Sequence, residues 1–164
     1  MSAYVLLEDG ARFDGEACAA PGHAVGEVVF TTGMSGYQEC VTEPSFHAQL
    51  LTFTAPMVGN YGVSREAMES DRVHARAAIM REAVNSEDAP SAERGWLDWL
   101  LDCGVPGITG VDTRALVRHI REAGYESRAE NCCFAGRTLQ GRVLATVAGG
   151  SVVYRERAFA LSAA

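Results

Sequence analysis

Residues 25–62 constrain the fold more than any other stretch of this chain. Two apolar, β-prone runs, 25–32 and 48–54, stand on either side of a polar segment dense in Gly, Ser, Thr and Tyr. This pattern predicts two strands joined by a loop over 33–46, closed by Pro56 and a Gly59-Asn60-Tyr61-Gly62 turn. Loops held at strand ends carry binding residues more often than the strands do, because the strands give them a rigid base. Any chemistry is to be sought here first.

The rest of the composition narrows the classes. A chain of 164 residues, 48% apolar and 21% charged, is expected to form one soluble globular domain, or one domain and a tail. No apolar run is long enough to span a bilayer, and the first ten residues lack a basic, then apolar, secretory leader, so no membrane partner and a cytoplasmic location are expected. Cysteines at 18, 40, 103, 132 and 133 make no CxxC pair and are read as reduced, mostly buried thiols, with no metal site. A net charge of -7 argues against nucleic acid, which needs clustered cations to neutralise phosphate. All 14 basic residues are Arg, which removes Schiff-base and phosphate-loop lysine chemistry. Residues 1–124 carry 9 Arg and 18 acids, residues 125–164 carry 5 Arg and 3 acids, so composition shifts near Gly124.

Taken in order, residues 4–7 and 12–17 predict a hairpin about a tight Asp9-Gly10 turn. The run Val28, Val29 and Phe30 reads as a strand buried on both faces. Residues 72–84 have helix-favouring composition together with period-two alternation, and are read as a strand on the resemblance described below. Ser91 is the candidate cap of a helix over 92–103, with Trp96, Leu97, Leu100 and Leu101 as its apolar stripe and Gly104 as its left-handed stop. A short buried strand over 105–110 leads to Asp112, the cap of a helix over 113–123 that buries Leu116, Val117, Ile120 and Ala123. Segments 142–148 and 152–154 can supply two more strands. The fold class is mixed α/β with a β-rich core.

The strings LEDG, GEVVFTTGMSGYQE, TEPSF, GNYG and GVPGITGVDTRALVRHIREAG occur in an order and spacing that resembles the N-terminal domain of the small, glutamine-hydrolysing subunit of carbamoyl-phosphate synthase. Glu43 and Phe46 stand where the family has Asp and Tyr. The resemblance runs from about Tyr4 to Gly124 and implies a three-layer β/β/α swivelling-type domain over 1–124; it stops at Tyr125, and 125–164 is a divergent tail, read either as strands completing the domain or as the product of an interrupted or shifted reading frame. It also implies two partners: the large synthetase subunit, with its ATP and Mg²⁺, and a glutamine amidotransferase domain carrying a Cys nucleophile, which lies outside this chain. The parent enzyme supplies carbamoyl phosphate to pyrimidine and arginine synthesis. Ser45 matches the family serine that contributes to the glutamine site, and Gly36, Tyr37, Gln38, Glu39, Asp112 and Arg114 become interface candidates. No cofactor is expected on this chain, and no catalytic residue, since neither Cys40 nor Cys103 has the Gly-flanked elbow of a glutaminase nucleophile.

Plainer readings stand beside these. Without the resemblance, Ser45 is an ordinary loop hydroxyl, Gly33 to Gly36 a turn rather than an anion-binding loop, and Trp96 with Trp99 core packing. Asp112-Thr113-Arg114 is a helix start, with Arg114 open to an interdomain ion pair. Two other functions compete with a docking domain: a free-standing small-molecule module built on the Gly33 to Ser45 loop, and a cysteine enzyme using Cys40 and His47.

Overall fold

The computed structural model describes residues 1–122, and the backbone of two later strands at 145–148 and 151–155. Ala123, read above as the last buried residue of a helix, lies outside the described residues. Six strands form one mixed sheet: β1 (Ser2–Leu6), β2 (Arg12–Ala17), β3 (Val28–Thr31), β4 (Leu50–Phe53), β5 (Ala77–Ile79) and β6 (Gly107–Thr109), in the order β1-β2-β6-β5-β4-β3. Strands β3 to β6 are parallel, and the β1–β2 hairpin joins antiparallel through β2 to β6. The α/β class expected from the sequence is therefore what the chain adopts.

Alternation along each strand sends side chains to opposite faces. Leu51 and Phe53 of β4 and Ala78 of β5 enter a core with Tyr37, Val41, Trp96 and Leu100, beneath helices α1 (Tyr37–Thr42) and α2 (Trp96–Asp102). Leu50 and Ile79 turn the other way, toward Val5, Ile108, Leu116 and Ile120 beneath α3 (Thr113–Glu122). Strands β7 (Ala145–Ala148) and β8 (Ser151–Arg155) fall within or around the segments expected to be extended and pair with each other, antiparallel, in a separate two-stranded sheet.

Several local expectations shift. The 33–46 segment is not a plain loop: it holds α1 and a 3-10 turn at Pro44–Phe46. Its polar composition hid a helix of six residues, four of them buried. Strand β3 lies at the sheet edge, so only Val29 of its four residues is fully buried. The 72–84 segment is extended, as favoured, although its ladder is only three residues long. Helix α2 begins at Trp96, not Ala92, and Ser91 does not cap it. Asn85 reaches in from upstream, its Oδ1 accepting from the N–H of Leu97 at 2.9 Å and of Asp98 at 3.3 Å. Leu101, assigned to the apolar stripe, is 48% exposed. The first hairpin closes through a three-residue loop, Leu7 N–H donating to Ala11 O at 2.9 Å, rather than a two-residue turn. Asp112 caps α3 as expected, Oδ1 accepting from Ala115 N–H at 2.9 Å, and Gly104 has φ +68° after α2.

Candidate functional site

The interface candidates at 36–39 sit on α1, and the structure commits most of their polar groups inward. Gly36 opens the helix at φ +80°, a conformation that costs a residue with a Cβ more than it costs glycine. Its N–H donates to Tyr61 Oη at 2.6 Å, so this amide is not free to hold an anion. Tyr37 Oη donates to Gly62 O at 2.7 Å and accepts from Tyr61 N–H at 3.2 Å, while its ring stacks on Tyr61 with centroids 4.3 Å apart. Burial pushes the Tyr37 hydroxyl well above the usual phenol range, keeping it a neutral donor.

Gln38, 2% exposed, makes a two-bond clamp on Ser64: Nε2 donates to Ser64 O at 2.8 Å and Oε1 accepts from Ser64 N–H at 2.9 Å. Thr42 donates to Gln38 O at 2.9 Å and accepts from Glu69 N–H at 3.0 Å, while Ser70 Oγ donates to Thr42 O at 2.5 Å. Helix α1 is thus sewn to segment 61–70 along its length. Glu39 is half-buried, and its Oε2 is buried without a hydrogen-bond partner.

Ser45 stands apart from that network. It is exposed on the 3-10 turn after α1, and its Oγ donates to Glu43 Oε1 at 2.5 Å. Among the described residues no hydrogen bond joins its side chain to Gly36 to Glu39. Asp112 and Arg114, at the start of α3, lie across the sheet from α1. The candidates therefore fall into three places: the α1 clasp, the Ser45 rim and the α3 start.

The described cysteines, Cys18, Cys40 and Cys103, offer no activated thiolate. Cys40 is half-buried, 3.9 Å from Thr31 Oγ1, and burial first, then the nearby Glu39, Glu43 and Glu69 carboxylates, raise its pKa. Burial alone pushes Cys18 up to about 11. Cys103 is exposed rather than buried, its pKa also raised by desolvation and by Asp102. His47, paired with Cys40 in one sequence reading, instead faces His74, Nδ1 to Nδ1 at 3.3 Å. Among the described residues no three His, Cys, Asp or Glu side chains gather as metal ligands, and no helix is long and apolar enough to cross a membrane.

Sequence reasoning places Tyr61 only within the GNYG turn, although an aromatic between its glycines is the signal that could have found it, and it names Arg114 without the cavity that Arg114 shares. Arg114, Arg118 and Arg121 recur at helical spacing and so share one face of α3. With Arg81 they line a cavity of about 410 Å³.

The chain matches the family described as carbamoyl-phosphate synthase small chain, CPSase domain, over residues 5–129. It is 47% identical over 124 residues to the carbamoyl phosphate synthase small chain of Nitratidesulfovibrio vulgaris (strain Hildenborough), covering 76% of this chain and 33% of that one. It is 45% identical over 120 residues to that of Lactococcus lactis subsp. cremoris, covering 73% and 34%, and 45% identical over 123 residues to that of Listeria monocytogenes serotype 4b, covering 73% and 33%. The chain spans about a third of the length of these curated relatives. The ordered strings, the family match over 5–129 and the relatives at 45–47% identity place the chain in the carbamoyl-phosphate synthase small-chain family.

Proposed function

We propose that this domain is the structural and docking part of a glutamine-dependent carbamoyl-phosphate synthase small chain, and that it hydrolyses no glutamine by itself. The observation that carries the reading is the family match over 5–129, which falls on the part of the relatives that corresponds to this domain. Two features support it. The polar groups of α1 are largely consumed in holding that helix to segment 61–70, which suits a rigid platform better than a reacting centre. The described cysteines have raised pKa values and no base beside them.

On this reading the partner is the large synthetase subunit, where ATP and Mg²⁺ are used, and the nucleophilic cysteine belongs to an amidotransferase domain. Ser45 is the residue of this domain that meets glutamine. Its exposure and its place on a turn fixed by Pro44 let a hydroxyl reach a substrate held mostly by the other domain. The test is a pull-down of this chain with the large subunit from the same source, with glutaminase assayed on the same sample. Binding without activity is the expected result. No binding by a demonstrably folded chain would overturn the docking reading, and glutamine binding by the lone chain that is lost in Ser45→Ala would favour a free-standing module.

A further inference from the structure

The cavity on the α3 side has a composition at odds with the chain around it. The described acids far outnumber the described arginines, yet Arg81, Arg114, Arg118 and Arg121 converge on one hollow of about 410 Å³, and no Asp or Glu is among its lining residues. Thr54 and Thr113 add to its polar wall, and Pro56 and Val117 give it an apolar one. Arg118 is partly neutralised by Glu122 at 3.4 Å, and Arg121 lies over the Phe30 ring at 5.1 Å. Arg81 and Arg114 have no side-chain partner among the described residues. Asp112 is beside the cavity in sequence, but its Oδ1 is occupied by the Ala115 N–H.

Position reinforces composition. Thr54 follows β4 and Arg81 follows β5 by two residues, so both stand at the carboxyl ends of neighbouring parallel strands, and Thr113 begins α3. Ligands of open α/β sheets bind outside these carboxyl ends, and a helix start adds partial positive charge. Guanidinium groups that line one hollow repel one another, and an anion relieves that repulsion. A single carboxylate would leave most of the charge unmatched, whereas a phosphate ester or diphosphate carries more than one negative charge and suits the forked donors of Arg. The volume falls in the range of small-ligand pockets.

We propose that this cavity is a binding site for a small multivalent phosphate, held chiefly by Arg81 and Arg114. The test is calorimetric titration of the full 164-residue chain with pyrophosphate at low salt, beside the variants Arg81→Ala/Arg114→Ala and Arg65→Ala, with circular dichroism melts to check folding. Arg65 is exposed and outside the cavity, so its variant reports general charge. One saturable site, weakened by at least about tenfold in the double variant and unchanged in Arg65→Ala, is the expected result. Should the double variant unfold, Arg114→Gln alone, at an exposed position, is expected to weaken binding severalfold. Equal weakening in Arg65→Ala, or no saturation, would overturn the proposal as unspecific charge attraction. It would equally be overturned if pyrophosphate failed to bind while a poly-glutamate peptide bound with the same Arg dependence, because the cavity would then be a dock for an acidic protein segment.

Discussion

The two faces of the sheet treat polar side chains in opposite ways. Under α1, the hydroxyls of Tyr37, Thr42 and Ser70 and the amide of Gln38 are spent on backbone groups of neighbouring segments, and the Tyr37, Tyr61 and Trp96 rings pack together with centroids 4.3 and 4.8 Å apart. Along α3, the apolar stripe does the packing while the arginines of the adjoining face end in an open cavity. The strings GEVVFTTGMSGYQE and GNYG thus build scaffold, whereas GVPGITGVDTRALVRHIREAG carries three of the four arginines left for a ligand. Burial explains the contrast: a polar group removed from water is costly unless it finds a partner within the fold, as the polar groups under α1 do apart from Glu39 Oε2, whereas one at a cavity mouth can wait for a solute.

The largest expected effect tests how closely the α1 side is packed. Gly59 has φ +93°, and an added Cβ would collide with the Val84 carbonyl and approach Trp96 Cδ1 to 2.7 Å. Gly59→Ala is expected to cost roughly 3–5 kcal/mol, combining backbone strain with overpacking. Gly104→Ala, at φ +68° with open space around it, should cost only about 1 kcal/mol. Urea midpoints measure both. Equal losses would mean that backbone conformation, not the close approach under α2, limits position 59.

Gln38 sharpens the same contrast. Gln38→Ala leaves the half-buried Ser64 N–H and C=O without their clamp and empties the buried Gln38 site, so a loss of about 2–4 kcal/mol is expected from denaturant unfolding. Ser45→Ala, exposed and bonded only to Glu43, should stay within about 0.5 kcal/mol of the parent. Similar values for the two would dissolve the distinction between clasp and rim.

Legibility in the sequence followed the range of the interaction responsible. The first hairpin, β4 and α3 were readable because turn residues, period and an Asp cap lie within a few positions of the element they specify. Helix α1 was not, since its six residues hold position through Tyr61, Ser64, Glu69 and Ser70, more than twenty positions on. The start of α2 was misplaced for a similar reason, its cap being Asn85 and not the nearby Ser91. For the sites, Ser45 and Arg114 were visible only through the family strings, and the cavity that gathers the arginines was not visible at all. Arg81 joins them from another strand end, which no local window reveals.

The smallest expected effect concerns a side-chain hydrogen bond that joins α3 to the hairpin. His119 Nε2 lies 2.5 Å from Asp9 Oδ2, with both side chains substantially exposed, while Asp9 Oδ1 accepts from the Ala11 N–H at 2.9 Å. The Ala11 backbone bond first, then His119, holds the Asp9 carboxyl below its ordinary value of 3.8. A carboxyl whose folded pKa is depressed stabilises the fold above its unfolded value and loses that contribution as pH falls through the folded value. Stability should therefore decline on acidification between roughly pH 5 and 2, and Asp9→Asn should make that decline shallower. Exposure limits the cost at neutral pH to less than about 1 kcal/mol, measured by urea unfolding across the range. A larger loss would mean that α3 depends on this tie as α1 depends on its clasp, and would erase the difference between the two faces. An unchanged acid limb would instead place the whole attachment of α3 in Leu116, Val117 and Ile120, whose burial does not titrate.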